Sequence, residues 1–371
     1  MTRLNELYDK EGQSPWIDNL KRSYLTTGTL EDLISKGIRG MTSNPTIFAK
    51  AIESSDDYDE QFRQLIATMD NTGAYWEMVI DDINHALEAM DVVYRSSSGA
   101  DGFVSIEVAP DLAYDTDGTI QAARRLHKRI DKPNLLVKIP ATRQGVPAIQ
   151  TMISEGRSIN ITLIFSLERY REVIEAYLSG LEAFVSGGAE DLSGVSSVAS
   201  FFVSRVDTEV DRRLESLGTP RAAGLAGKAA VAQARLAYEI FVEAFSGPRW
   251  EALAKHKARV QRPLWASTST KNPDYPDLLY VDSLIGPHSV NTMPDATVEA
   301  FLDHGRVART VDVDTGAARQ VLSELAEVGV DMVEVAQLLE DEGVASFSKS
   351  FDELLQKLAD KANALTAKGQ A

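Results

Sequence analysis

The amino-acid sequence predicts a (β/α)8 TIM barrel, in which eight parallel strands close into a ring inside a layer of helices. Three observations carry this prediction: eight short apolar or β-branched runs, helical periodicity between most of them, and polar residues at their ends. Strands that alternate with helices eight times are typical of a closed parallel barrel. An open doubly wound sheet is the alternative, but no GxGxxG motif follows the first run.

The eight runs give the predicted strands in chain order. They cover residues 16–20, 37–42, 103–108, 134–139, 159–165, 198–203, 264–267 and 279–284. Between them, apolar residues recur with a spacing near 3.6, and Thr119 and Ser166 mark helix starts. The segment NLLVKIPAT, at 134–142, is apolar enough to be buried on both faces, as strands of parallel sheets are.

Residues from about 314 onward have the pattern of helices alone, in GAARQVLSELAEVGV, DMVEVAQLLEDEGV and SFDELLQKLADKANAL. No low-complexity linker separates this part from the barrel. We therefore predict a single domain over 1–371, with a barrel at about 15–312 and a helical C-terminal extension at about 313–371. The extension is expected to cover apolar surface of the barrel, and a lid over a substrate is the alternative.

Composition excludes several classes of function. The net charge of −17 argues against a nucleic-acid partner, because phosphate backbones are bound by clustered Lys and Arg. The chain has no cysteine, so we expect no disulfides, and its histidines are scattered, so we expect no metal site. No segment resembles a signal peptide or a membrane span, so we expect a soluble cytoplasmic protein without a membrane partner.

Polar side chains lie within or just after the predicted strands, at the carboxyl ends where barrel enzymes place their active sites. These residues are Asp18, Asn44, Glu107, Lys138, Asn160, Thr162, Ser200, Arg205 and Lys271. Each of them alone would be read as an ordinary turn or capping residue. Because strand ends converge on one pocket in a barrel, we interpret the whole set as a candidate site.

Lys138 stands out because it interrupts an apolar strand. Burial lowers the pKa of a lysine, which makes the neutral amine available to attack a carbonyl group. Class I aldolase chemistry uses such an amine and also needs a carboxylate as base, for which Asp18 and Glu107 are candidates. The structural alternative is that Lys138 reaches the barrel rim or pairs with Glu107.

These residues together resemble the transaldolase family, in its longer bacterial form. Four motifs carry the resemblance: TSNPTIF around Asn44, VKIPAT around Lys138, INITLIFS around Asn160 and Thr162, and WASTSTKNP around Lys271. The segment GPHSVNTMPDAT, at 286–297, follows them in the family's order. The resemblance extends over residues 15 to about 310 and implies a class I aldolase-like barrel.

The resemblance also implies a role for each motif residue. Lys138 would form the Schiff base, and Asp18 would be the acid/base at the hydroxyl whose C–C bond breaks. Glu107 and Thr162 would hold and activate the water that moves protons. The implied substrate-binding residues are Asn44, Asn160 and Ser200 for the three-carbon unit and Arg205, Lys271 and Ser267 for the phosphate. At Lys271 the short family members look to carry arginine, and lysine lacks its bidentate contact.

The implied reaction is transfer of a dihydroxyacetone unit in the non-oxidative pentose phosphate pathway. The donor would be sedoheptulose 7-phosphate or fructose 6-phosphate, and the acceptor glyceraldehyde 3-phosphate or erythrose 4-phosphate. No cofactor or metal is expected, and the protein would act as a monomer or homodimer. The alternatives are a fructose 6-phosphate aldolase, which releases free dihydroxyacetone, and a non-catalytic barrel that binds sugar phosphates.

Overall fold

A computed structural model describes residues 1–369 and shows eight parallel strands closed into a barrel. The strands, numbered in chain order, are β1 (Gln13–Ile17), β2 (Gly40–Met41), β3 (Phe103–Glu107), β4 (Leu135–Pro140), β5 (Ile159–Ile164), β6 (Ser197–Phe202), β7 (Arg262–Ala266) and β8 (Ser289–Met293). Each strand pairs with its successor, and β8 pairs with β1 to close the ring. The predicted fold class is therefore confirmed.

Helices surround the barrel and connect its strands. They are α1 (Arg3–Glu11), α2 (Arg22–Thr26), α3 (Thr29–Lys36), α4 (Pro45–Glu53), α5 (Asp59–Leu65), α6 (Asn71–Ser96), α7 (Thr116–Ile130), α8 (Gly145–Ser154), α9 (Leu167–Ser186), α10 (Ser204–Leu217), α11 (Pro220–Ala223), α12 (Ala229–Ala244), α13 (Gly247–Ala254), α14 (Leu279–Ser283), α15 (Asp295–His304), α16 (Thr315–Glu327) and α17 (Met332–Gly369). A 3-10 helix covers Pro110–Leu112. None of the helices within residues 1–369 is long and apolar enough to cross a bilayer.

Seven of the eight predicted runs overlap a strand, and the eighth prediction is wrong. The run at 279–284 forms α14, and the last strand is β8, with the sequence SVNTM. A short apolar run does not distinguish a strand from a buried helical segment. Strand β8 was not predicted from the sequence because Ser289, Asn291 and Thr292 are polar, although all three are buried in the barrel wall.

The helical extension ends in one long helix. The second and third predicted segments both belong to α17, which has 38 residues. Gly343 lies within it, where a Cβ atom would be 2.9 Å from Cδ2 of Leu163 on β5. The absence of a side chain at Gly343 therefore allows α17 to pass close to the carboxyl ends of the strands.

Strand β5 is irregular next to this contact. Its register with β6 shifts between Ile161 and Ile164, and Leu163 has a φ of +61°. A left-handed backbone costs a leucine about 1–2 kcal/mol. Such strain persists only where surrounding contacts hold it, and here the Leu163 side chain packs beneath Gly343.

A buried ion cluster lies at the amino-terminal end of the barrel. Asp101 is fully buried and accepts hydrogen bonds from Ser14 Oγ at 2.6 Å and Trp16 Nε1 at 3.2 Å. It also pairs with Arg39 at 2.8 Å and Arg262 at 3.0 Å. A buried carboxylate is tolerated when it is paired and fully hydrogen-bonded in this way. The ion cluster therefore links β1 and β7 at the amino-terminal end of the barrel.

The Asp207 side chain links α10 to α12 and α14 by hydrogen bonds. Its carboxylate accepts a hydrogen bond from the backbone N–H of Ala230 at 2.8 Å and another from the Tyr280 hydroxyl at 3.0 Å. Burial raises the pKa of Asp207 to about 6, and the two hydrogen bonds only partly oppose it. The folded protein therefore holds the proton of Asp207 more tightly than the unfolded chain does.

We expect Gly40→Ala to destabilise the barrel, because a Cβ atom there would lie 2.4 Å from the Trp16 indole. Overpacking of this kind costs about 1–3 kcal/mol in the free energy of unfolding. Gly194→Ala is the matched control, since a Cβ atom at Gly194 meets nothing within 4 Å. Denaturant unfolding of both variants measures the difference, and equal free energies would contradict the assigned packing.

We expect Asp207→Asn to remove a pH dependence of stability. A raised carboxyl pKa stabilises the fold at low pH, and this contribution is lost as the pH rises from about 4 through about 6. Between pH 5 and 7 the free energy of unfolding of the wild type should fall by about 1 kcal/mol relative to that of Asp207→Asn. Urea unfolding at a series of pH values measures this, and parallel stability curves would contradict it.

Candidate active site

The carboxyl ends of the strands surround a cavity of about 300 Å³. Eight of the ten predicted site residues line it: Asp18, Asn44, Lys138, Thr162, Ser200, Arg205, Ser267 and Lys271. The other two, Glu107 and Asn160, lie behind the cavity wall. Glu107 on β3 is the neighbour of Lys138 on β4, and Asn160 lies on β5, which also carries Thr162. The structure therefore brings the sequence motifs together at one end of the barrel.

Lys138 lies in the middle of this end of the barrel. Its side chain is only 6% exposed, and Nζ donates to Glu107 Oε2 at 3.1 Å and to the Ser43 carbonyl at 3.2 Å. The pair follows from the register, because Glu107 on β3 is the direct neighbour of Lys138 on β4. Lys138 thus pairs with Glu107, as the structural alternative expected, and also lines the cavity.

Glu107 has a raised pKa. Burial is the largest cause, the nearby Lys138 ammonium opposes it, and the Asp18 carboxylate adds to it. Glu107 borders a second, much smaller cavity of about 10 Å³ together with Tyr75. A carboxyl group in this setting is suited to exchange a proton with Lys138, because burial favours the neutral form of the Glu107 carboxyl group.

Thr162 and Glu107 are not joined by a hydrogen bond in the structure. The buried Thr162 hydroxyl has no partner among the residues that the structure describes, and it lines the main cavity. A buried hydroxyl without a partner is unfavourable unless a ligand or water meets it. Thr162 is therefore available to a molecule that enters the cavity.

Asp18 follows β1 and accepts a hydrogen bond from Thr42, which Thr292 contacts in turn. Thr42 Oγ1 donates to Asp18 Oδ1 at 2.7 Å, and Thr292 lies 2.7 Å from the same Thr42 oxygen. Because the single proton of Thr42 goes to Asp18, Thr292 must be the donor in the second bond. Burial raises the pKa of Asp18, and the Thr42 hydrogen bond opposes this. Sequence reasoning missed both threonines, although Thr42 begins the motif TSNPTIF.

The two asparagines are placed differently. Asn44 caps α4 by accepting from the backbone N–H of Ile47 at 3.0 Å, and it lines the cavity. Asn160 is fully buried, donates to Ser105 Oγ at 3.0 Å and accepts from Ser200 Oγ at 2.7 Å. Asn160 thus orients Ser200, which reaches the cavity.

Positive charge collects at one side of the cavity. Arg205 lies at the start of α10, and Lys271 follows β7, where its Nζ donates to Ser269 Oγ at 2.7 Å. Ser267, with a φ of +56°, contacts Ser204 through their hydroxyls at 2.9 Å. Among the described side chains, no carboxylate lies within ion-pair distance of Arg205 or Lys271. Cations without partners at a helix N-terminus favour binding of an anion.

Three further lining residues were missed by sequence reasoning. Lys50 on α4 and Ser346 and Phe347 on α17 all border the cavity. The Phe347 ring centroid lies 5.9 Å from Lys138 Nζ, and the side chain is buried. Phe347 could not be found from the sequence because its segment shows only the ordinary spacing of a packed helix. The extension therefore supplies part of the cavity wall in addition to covering apolar surface.

A larger groove, of about 550 Å³, lies at the amino-terminal end of the barrel. Its lining includes Asp101 and Arg262, which are already paired with each other. It contains no lysine, so it offers no amine for Schiff-base chemistry. The smaller cavity at the carboxyl end is the candidate active site.

Comparison with known proteins agrees with this geometry. The family model Transaldolase/Fructose-6-phosphate aldolase matches residues 15–358. A transaldolase of Thermobifida fusca is 50% identical over 366 residues, which cover 98% of this chain and 99% of the relative. A transaldolase of Frankia alni is 49% identical over 361 residues, covering 96% and 97% of the two chains. A transaldolase of Mycolicibacterium smegmatis is 50% identical over 347 residues, covering 93% of each. The chain therefore belongs to the transaldolase/fructose-6-phosphate aldolase family.

Proposed function

We propose that this transaldolase transfers a dihydroxyacetone unit between sugar phosphates through a Schiff base on Lys138. The observation that carries the proposal is a buried lysine, paired with Glu107, in a cavity that also holds Asp18 and unpaired cations. The donor is sedoheptulose 7-phosphate or fructose 6-phosphate, and the acceptor is glyceraldehyde 3-phosphate or erythrose 4-phosphate. Its place is the non-oxidative pentose phosphate pathway.

Imine formation begins with a proton transfer within the Lys138–Glu107 pair. The proton passes from Nζ to Glu107 across 3.1 Å, which leaves a neutral amine and a neutral carboxylic acid. The amine adds to the ketone carbon of the donor. Glu107 then protonates the departing hydroxyl, water leaves, and an iminium forms on Lys138. Thr162 supplies a hydroxyl that orients this water.

Asp18 acts in the cleavage step. Its carboxylate takes the proton of the hydroxyl on the carbon that becomes the aldehyde, and the adjacent C–C bond breaks. The bonding electrons move to the iminium nitrogen, so an enamine of three carbons remains on Lys138. The raised pKa of Asp18 suits this role, because the group must accept a proton and later return it to the product formed with the acceptor.

Substrate binding divides between the two sides of the cavity. Asn44 and Ser200 contact hydroxyls of the three-carbon unit, and Asn160 positions Ser200 from behind the wall. Arg205, Lys271 and Ser267 bind the phosphate together with the N-terminus of α10. Lysine at 271 binds the phosphate as a point charge, without the bidentate contact of arginine.

The helical extension belongs to the same functional unit. Phe347 lines the cavity, so the barrel at about 15–312 and the extension at about 313–371 act as one domain; residues 370 and 371 lie outside the described part of the chain. We place this domain in the cytoplasm as a monomer or homodimer. Phosphorylated sugars are charged and do not cross a bilayer unaided, so an enzyme that uses them works where they are made.

We expect borohydride with fructose 6-phosphate to attach a three-carbon unit to Lys138, because reduction converts the imine into a stable amine. Peptide mass spectrometry of the trapped protein locates the modified residue. Lys138→Ala should remove both the trapping and the transfer activity, and Lys349→Ala, an exposed lysine on α17, should change neither. Trapping on a peptide without Lys138 would contradict the mechanism, and so would no trapping in the wild type.

A non-catalytic sugar-phosphate barrel gives the opposite pattern in the same experiment. It would bind the phosphate equally well with or without Lys138, and it would have no activity to lose. The placement of Lys138 beside Glu107 favours catalysis, because a phosphate-binding barrel has no use for a buried amine paired with a carboxylate.

We expect transfer to depend on Phe347, because its ring covers Lys138 and keeps water from the enamine and iminium. Wild-type protein should cleave fructose 6-phosphate slowly without erythrose 4-phosphate. Phe347→Ala should raise the ratio of acceptor-independent to acceptor-dependent cleavage several-fold. Progress curves with and without acceptor measure this ratio.

Val333→Ala is the control, because Val333 is an exposed residue of the same helix, with 69% of its surface accessible. Circular dichroism and the extent of Lys138 trapping show whether Phe347→Ala is folded. A folded Phe347→Ala with an unchanged ratio would contradict the role of the ring. Rapid acceptor-independent cleavage by the wild type would identify it as an aldolase.

A further inference from the structure

Helix α4 places a lysine at the phosphate side of the active site. Lys50 lines the same cavity as Arg205 and Lys271, although it comes from a different part of the barrel. It is exposed, and none of the described carboxylates lies within ion-pair distance of it. The ammonium group is therefore available to an anion in the cavity.

Two contacts hold the first turn of α4. Asn44 caps the helix, and Thr46 Oγ1 donates to Ser350 Oγ of α17 at 2.9 Å. Residues four apart lie on the same face of a helix, so Lys50 follows Thr46 on the face that lines the cavity. Asn44 and Lys50 are separated by about 9 Å along the helix axis, at about 1.5 Å per residue.

This spacing matches the two ends of an extended sugar phosphate. One end carries the hydroxyls of the dihydroxyacetone unit, for which Asn44 is placed, and the other carries the phosphate. Lys50, Arg205 and Lys271 line one cavity, and Lys271 lies where the charges of both Arg205 and Lys50 act on it. Three cations from α4, α10 and the segment after β7 converge there.

Converging cations without a counter-ion repel each other. The pKa of Lys271 is lowered by burial first, and then by the charges of Arg205 and Lys50. The chain carries a net charge of −17, so carboxylates that could neutralise these cations are abundant elsewhere. Among the described side chains, none of these carboxylates lies within ion-pair distance of the three cations, which points to a ligand that supplies the negative charge.

We propose that Lys50 is a third phosphate-binding residue, which acts with Arg205 and Lys271 to select phosphorylated donors and acceptors. The proposal rests on the proposed function, because it extends the phosphate contact of the same site. Lys50 compensates for the single-point contact that lysine at 271 makes where arginine would make two. Because Lys50 is exposed, its effect is modest and sensitive to salt.

The test compares Lys50→Gln, Lys50→Arg and the control Lys349→Gln, which removes an exposed charge from α17. At low ionic strength, Lys50→Gln should raise the KM for fructose 6-phosphate about fivefold with little change in kcat. It should weaken competitive inhibition by inorganic phosphate by a similar factor. Lys50→Arg should restore both values, and Lys349→Gln should match the wild type.

Unphosphorylated dihydroxyacetone separates phosphate binding from a structural effect. It forms the same imine, so borohydride trapping of dihydroxyacetone on Lys138 should be equal in Lys50→Gln and wild type. Unchanged KM and phosphate inhibition in Lys50→Gln would overturn the proposal. An equal loss of trapping of fructose 6-phosphate and of dihydroxyacetone in Lys50→Gln would also overturn the proposal, because Lys50 would then support the fold. Failure of the wild type to trap either compound would instead overturn the Schiff-base mechanism.

Discussion

The active site depends on one interaction, the ion pair between Lys138 and Glu107 on adjacent strands. Both side chains are nearly inaccessible to water, and removing two charges from water is expensive even when they pair. Replacement by apolar residues would give a more stable barrel wall, so the pair is explained better by chemistry than by stability. Burial favours the neutral form of the Glu107 carboxyl group, and in the proposed mechanism Glu107 takes the proton of Lys138.

The rest of the site holds this pair in place and limits its contact with water. Helix α17 crosses the barrel end because Gly343 has no side chain to collide with Leu163. Leu163 in turn adopts a left-handed backbone immediately after Thr162, at a register shift in β5. Strain of this kind is often found at functional sites. Here it is held by the same helix that brings Phe347 over Lys138.

The sequence was sufficient for the barrel and most of the site, because both follow from local patterns. Buried parallel strands are apolar, and their carboxyl ends carry polar residues, so the position of Lys138 in the sequence already implied a pocket. β8 was missed because its polar side chains are buried in the barrel wall, where Asn291 accepts a hydrogen bond from Thr268. Lys50 and Phe347 were missed for a related reason. On their own helices they resemble ordinary surface and core residues, and only the closed barrel brings both to the cavity that Lys138 also lines.

Electrostatics explains how an acidic protein can bind anionic substrates. At about 0.15 M salt the Debye length is about 8 Å, so the net charge of −17 is largely screened beyond that distance. Within the cavity the nearest charges dominate, and on the phosphate side these are Arg205 and Lys271. Glu107 is paired with Lys138, and Asp18 lies where the charges of both Lys138 and Arg205 act on it. In the proposed mechanism these two cations hold the phosphate, and the carbonyl carbon of the sugar faces Lys138.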